Sequence, residues 1–116
     1  MVILDVDFQV DICSANAKYG ARGGKWTTKE YKQYVDTVAL MCRTKTDKRY
    51  GRKGIEIKVN VTIHTTKDID NPLKGLLDGM QGVVYENDNQ ISWLEVHRVK
   101  IKRGQKEMIS LVVETL

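Results

Sequence analysis

Two stretches of the chain alternate apolar and polar residues with a period of two. In "VILDVDFQVDI", residues 2–12, Val2, Leu4, Val6, Phe8, Val10 and Ile12 share one face, the pattern of a half-buried strand. "IEIKVNVTIHT", residues 55–65, does the same without a fault, with Ile55, Ile57, Val59, Val61 and Ile63 facing inward. Between them the period changes. Thr27 and Glu30 form a capping box, and Tyr31, Tyr34, Val35, Val38 and Cys42 follow at helical spacing, which predicts a helix over about 28–43. A second helix is expected over about 72–80, with Leu73, Leu76, Leu77 and Met80 as its apolar stripe. Asn71 suits its N-cap because a proline follows, and Pro72 suits the first helical position.

Residues 90–101 and 107–115 read as two further strands joined as a hairpin around "KRGQKE", and a short strand is admitted at 83–85. "CSANAKYGARGGKW", rich in Gly, Asn and Ser, reads as a loop, as does the basic stretch 43–54. The order of elements predicts an α/β (α+β) fold, a small mixed β-sheet flanked by two helices. A chain of 116 residues fits one domain, 1–116, and buries enough surface to need no disulfides.

Composition narrows the function classes. No apolar run approaches the roughly 18 residues of a membrane span, and "MVILDVDFQV" lacks the basic start of a signal peptide. Cys13 and Cys42 are too few for a disulfide framework or a zinc site and read as reduced, packed thiols. His64 and His97 lack metal-ligand spacing and read as strand surface residues. Lys and Arg number 19 against 15 Asp and Glu, a mild excess whose distribution says more than its sum. Arg43, Lys45, Lys48, Arg49, Arg52 and Lys53 crowd one loop, and Arg98, Lys100, Lys102, Arg103 and Lys106 crowd the C-terminal region. The acids gather in 68–88. A basic perimeter around an acidic centre suits a polyanionic partner.

The acidic centre is "DIDNPLKGLLDG", residues 68–79. Asp68 and Asp70 are two apart just beyond a strong strand, so an extended chain points both to one face. Lys74 and Asp78 lie one turn apart, with lysine near the positive end of the helix and aspartate towards the negative end. That double misplacement points to a site rather than to helix stability. Asp88 precedes the strand beginning near Gln90, and would reach Asp68 and Asp70 if that strand neighbours 55–65. Carboxylates about 4 Å apart repel by roughly 4 kcal/mol at an effective dielectric of 20, which a divalent cation removes. Oxygen ligands without thiolate or paired imidazole select Mg²⁺ or Mn²⁺. An EF-hand starting at Asp68 is excluded, because its sixth and twelfth positions are Leu73 and Gly79.

"DIDNPLKGLLDGMQGVVYENDNQI" resembles the signature of the RusA-type Holliday junction resolvases. Asp68, Asp70, Asn71, Lys74, Asp78, Asp88 and Gln90 fall in register with it. Ser14, Asn16 and the helix opening at Thr27–Tyr31 extend the likeness more weakly to the front. One departure is Asn87, where the family has an aspartate ahead of the second acid. The resemblance implies a cytoplasmic, homodimeric, Mg²⁺-dependent endonuclease (Mn²⁺ substituting) that makes paired nicks in four-way DNA junctions during recombination and repair. On that reading Asp68, Asp70 and Asp88 hold the metal, and Lys74 completes the catalytic set. Asp78 orients Lys74 and Asn71 supports the set from outside it. Lys18, Arg22, Lys25, Arg49 and Arg52 would contact DNA, with Tyr19 and Trp26 beside the first basic loop. Core packing is the stronger reading for Trp26 and for Trp93. Three rivals stay open: a non-catalytic nucleic-acid-binding module with a degraded site, a nuclease using the Glu56-Ile57-Lys58 strand motif instead, and an adaptor or subunit-interface protein.

Overall fold

The computed structural model describes residues 1–12, 29–46, 52, 54–66 and 70–116, with Asp70 and Asn71 defined by their backbone alone. The elements are β1 (Val2–Gln9), α1 (Lys29–Arg43), β2 (Ile57–Thr65), α2 (Asp70–Met80), β3 (Ile91–Lys100) and β4 (Met108–Thr115). Thr27, Trp26, Cys13 and the loop 13–26 lie outside the described residues.

The strands form one sheet in the order β1-β4-β2-β3. β4 runs antiparallel to both β1 and β2, while β2 and β3 are parallel. This is the expected mixed sheet with two helices, an α+β architecture. The expected hairpin is corrected, because β2 lies between β3 and β4. The reason is burial. Ile109, Leu111 and Val113 of β4 and Ile57, Val59, Val61 and Ile63 of β2 are fully buried, so both strands take central places. β3 carries Ser92, Glu95, His97, Arg98 and Lys100, a composition that tolerates an edge. Crossing β2 means moving about 10 Å sideways, which the segment between Lys100 and Met108 spans easily.

Other boundaries shift for local reasons. The register of β1 against β4 slips between Val2 and Leu4, so Ile3 and Leu4 are both buried and Val2 is exposed, against the uniform alternation expected. Residues 83–85 form no strand; Gln81 and Tyr85 make an isolated bridge within a turn. Trp93 is 53% exposed rather than packed, with the Lys58 ammonium 4.9 Å from its ring centre. Among the described residues, no helix is long and apolar enough to cross a membrane.

A single core joins the inner sheet face to both helices. Tyr34, Val38 and Cys42 of α1 and Leu76 and Met80 of α2 are its helical members. The free Cys42 thiol is pushed up to about 12 by burial. The helices approach closely because two glycines on α2 face α1. A Cβ at Gly79 would stand 2.7 Å from Val38 and 2.9 Å from the Val35 carbonyl oxygen. Tyr34 spans the same seam, its buried hydroxyl donating to the Pro72 carbonyl at 2.8 Å. Gly79→Ala is therefore expected to destabilise the fold by about 1–3 kcal/mol through overpacking, despite the roughly 1 kcal/mol that alanine gains as a helix former. Urea denaturation of the two proteins measures the difference.

Candidate active site

α2 begins at Asp70, two residues before the expected start. Asn71 is thus inside the helix rather than its N-cap, which corrects that assignment. Pro72 remains within the first turn, where backbone N–H groups have no intrahelical acceptor and its missing donor is tolerated. Asp68 falls outside the described residues. The strand end leading towards it is anchored by Glu107. That carboxylate accepts from the Ile12 backbone N–H at 3.1 Å and from the buried Thr65 hydroxyl, so it ties together the exits of β1 and β2.

Further along α2, Lys74 and Asp78 meet, with Nζ 3.3 Å from Oδ1. The pair that looked misplaced for helix stability is a direct contact. The other Asp78 oxygen accepts from the Tyr31 hydroxyl of α1 at 2.6 Å. Asp78 is therefore held on both oxygens, and Lys74 is left 54% exposed with its ammonium beside a fixed carboxylate.

Asp88 is presented by a separate device. The chain leaves α2 through Gly82, whose φ of +82° a side chain would oppose. Its N–H donates to the Tyr85 carbonyl, folding residues 80–85 into a tight turn. Asn87 then caps the 3₁₀ turn Asp88–Gln90, its extended backbone placing the side-chain oxygen 3.0 Å from the Asn89 N–H. An aspartate or an asparagine performs this capping equally well, which gives a structural account of the one departure in the motif.

The hydroxyl of the buried Tyr85 lies 2.9 Å from both Asp88 Oδ1 and the Leu77 carbonyl oxygen of α2. Having a single proton, it donates to one of the two at a time. Burial raises the Tyr85 pKa above its ordinary value of 10.0, reinforced by the hydrogen bond to Asp88 and by the negative charges of Asp88 and Asp78. Tyr31 and Tyr85 are functional candidates that sequence periodicity assigned only to the core or to a minor strand. The available signal was chemical: a tyrosine placed on an inward face carries a hydroxyl that must find a partner.

The strand adjacency from which Asp88 was expected to reach Asp70 is present. The strands are neighbours, but parallel, with Ile57 beside Ile91 and Thr65 beside Lys100. Asp88, ahead of Ile91, lies at the entrance of β2, and Asp70 opens the helix that follows its exit. Those ends are roughly 26 Å apart along the strand. Measured along α2, the Cα of Asp70 stands about 10 Å from that of Leu77, whose carbonyl faces the Tyr85–Asp88 contact. Oxygen ligands of one Mg²⁺ lie within about 4 Å of each other. The structure thus gathers Lys74, Asp78, Tyr31, Tyr85 and Asp88 around α2, while Asp68 and the Asp70 side chain lie outside the described residues.

Among the described residues no group of three or more His, Cys, Asp or Glu side chains could hold a metal ion, and of the carboxylates expected as ligands only Asp88 has a described side chain. Asp88 is half-exposed, and its Oδ2 takes no hydrogen bond from any described residue, so it offers a free anionic oxygen. Of the basic candidates, Arg52 is described and exposed, while Lys18, Arg22, Lys25 and Arg49 lie outside the described residues. In the Glu56–Lys58 alternative, Lys58 covers Trp93 on the polar face of the sheet and has Glu114 as its cross-strand neighbour.

A two-layer α+β domain carrying a lysine and several carboxylates around one helix defines the class of protein. The family model described as Endodeoxyribonuclease RusA matches residues 10–111, and the chain belongs to that family. No curated protein matches the chain.

Tyr85 makes the pH dependence of stability testable. Its folded pKa lies above its unfolded one, so its contribution is fully present below pH 10 and declines as pH rises above that value, where the unfolded-state phenol ionises. Tyr85→Phe should lower stability by about 1–3 kcal/mol at pH 8, where it deletes a hydrogen bond to a charged group. The variant should also lose less stability than wild type between pH 8 and 10.5. Urea melts at both pH values read the two differences.

Proposed function

We propose that the protein is a Mg²⁺-dependent, structure-selective endodeoxyribonuclease that resolves four-way DNA junctions by paired nicks. The observation that carries this reading is the convergence of Lys74, Asp78 and Asp88 around α2 in a chain of the RusA family. Asp68, Asp70 and Asp88 are the residues that would hold the cation. When bound, the metal lowers the pKa of a water and neutralises charge on the scissile phosphate.

The chain's own groups supply the remainder. Lys74, exposed beside Asp78, donates hydrogen bonds to the non-bridging oxygens as negative charge accumulates on them. Asp78, fixed by Tyr31, keeps that ammonium aimed. Tyr85 holds one Asp88 oxygen and leaves the other for the cation. Arg52, with Lys18, Arg22, Lys25 and Arg49, binds phosphates flanking the cut.

Asp70 opens α2 and Asp88 follows it, an arrangement that a homodimer would close if Asp68 and Asp70 of one protomer face Asp88 of its partner. A twofold axis then yields two equivalent sites, as symmetric incision of two strands requires. Dimerisation would complete the catalytic centre rather than merely duplicate it.

A labelled synthetic four-way junction and a matching linear duplex, each incubated with Mg²⁺ and with EDTA, test the function. The expected result is symmetric nicking of the junction alone, dependent on Mg²⁺, abolished in Asp70→Asn and retained in Glu56→Gln. Lys74→Ala should bind the junction normally and cut about 10²-fold more slowly. Wild-type binding without any incision would identify the protein as a non-catalytic nucleic-acid-binding module instead.

A further inference from the structure

Gln90 is a polar side chain only 5% exposed. Its amide uses all four hydrogen-bonding positions. Oε1 accepts from the backbone N–H groups of Glu86 and Asn87, both at 2.9 Å. Nε2 donates to the carbonyl oxygens of Arg52 at 2.8 Å and Ile55 at 3.0 Å. One end of the amide therefore grips the segment that presents Asp88, and the other grips the end of the basic loop that carries Arg52. The Arg52 carbonyl also accepts from the Ile55 N–H at 3.2 Å.

A buried, fully satisfied amide is a specific choice. Glutamate would keep the two acceptances but set an anionic oxygen against two carbonyls. Methionine fills the volume and makes none of the four bonds. Core packing alone calls for an apolar residue here, since a buried amide without partners costs several kcal/mol.

We propose that Gln90 is a positioning residue that holds the phosphate-binding loop ending at Arg52 at a set spacing from the turn presenting Asp88. The proposal rests on the endonuclease reading above and deepens it. Gln90 touches neither DNA nor the cation. It transmits position between a group that grips the backbone and a carboxylate that serves the cut. Because its two ends act on different segments, they separate by substitution. Gln90→Glu releases the loop and keeps the Asp88 turn, whereas Gln90→Asn, one methylene too short, loosens both.

The test combines amide hydrogen exchange with steady-state nicking of the four-way junction in Mg²⁺, on wild type and both variants. In Gln90→Glu, exchange at residues 54 and 55 should quicken about tenfold, while the amides of Glu86 and Asn87 stay near wild-type rates. Its KM for the junction should rise about tenfold and kcat fall less than threefold, a split that a general loss of stability does not produce. In Gln90→Asn both sets of amides should quicken, and both KM and kcat should worsen. A folded Gln90→Glu with wild-type KM, or with unchanged exchange at 54–55, overturns the proposal. An unfolded Gln90→Glu alongside a Gln90→Asn of wild-type KM does the same. Absence of incision by wild type would instead sink the endonuclease reading, and the exchange rates alone would then decide whether Gln90 fastens the two segments.

Discussion

The parallel pairing of β2 with β3 is the constraint on which the site depends. Parallel neighbours must be joined by a crossover, and α2 is that crossover, running back from the exit of β2 towards the entrance of β3. The motif is spread along this return path. Asp70 opens the helix, Lys74 and Asp78 occupy its middle and later turns, and Asp88 follows it. Short range in sequence therefore becomes a directed line in space, with acidic groups at both ends and a cation between. On the proposed reading, a second copy related by a twofold axis would complete that line around a metal ion.

Within the protomer, the two α2-associated carboxylates are held differently. Asp78 has both oxygens engaged, by Lys74 and by Tyr31, and acts as a fixed counter-charge. Asp88 has one oxygen beside the Tyr85 hydroxyl and presents the other. The tyrosines reach these groups because α1 and α2 pack at glycine distance, bringing Tyr31 over the helix, and because a left-handed glycine turns the chain back to seat Tyr85. The packing that forms the core is thus also what orients the carboxylates.

Much of this was legible in the sequence. The uninterrupted alternation of residues 55–65 identified the central strand, and the stripe of Leu73, Leu76, Leu77 and Met80 identified the second helix. Periodicity carries no information on strand pairing or direction, so the adjacency of β2 and β3 entered only as a condition and their parallel sense not at all. The supposed hairpin failed for a related reason. "KRGQKE" has turn chemistry, but the choice of neighbour was made by the buried faces of β2 and β4, a tertiary effect. The roles of Tyr31 and Tyr85 were hidden because a pattern of apolar positions treats tyrosine as a ring and ignores its hydroxyl. Asn87 was visible only as a departure from the motif, and cap geometry explains why it is tolerated.

Mixing two inactive chains tests the shared site most directly. Asp70→Asn and Asp88→Asn proteins would be denatured together, refolded, and assayed for nicking of a four-way junction. If each site takes Asp70 from one protomer and Asp88 from the other, a mixed dimer contains one doubly altered site and one intact site, and activity returns to about a quarter of the wild-type level, as single nicks. Confirmed mixed dimers that remain as inactive as their parents would contradict the shared site and place the whole catalytic set within one chain.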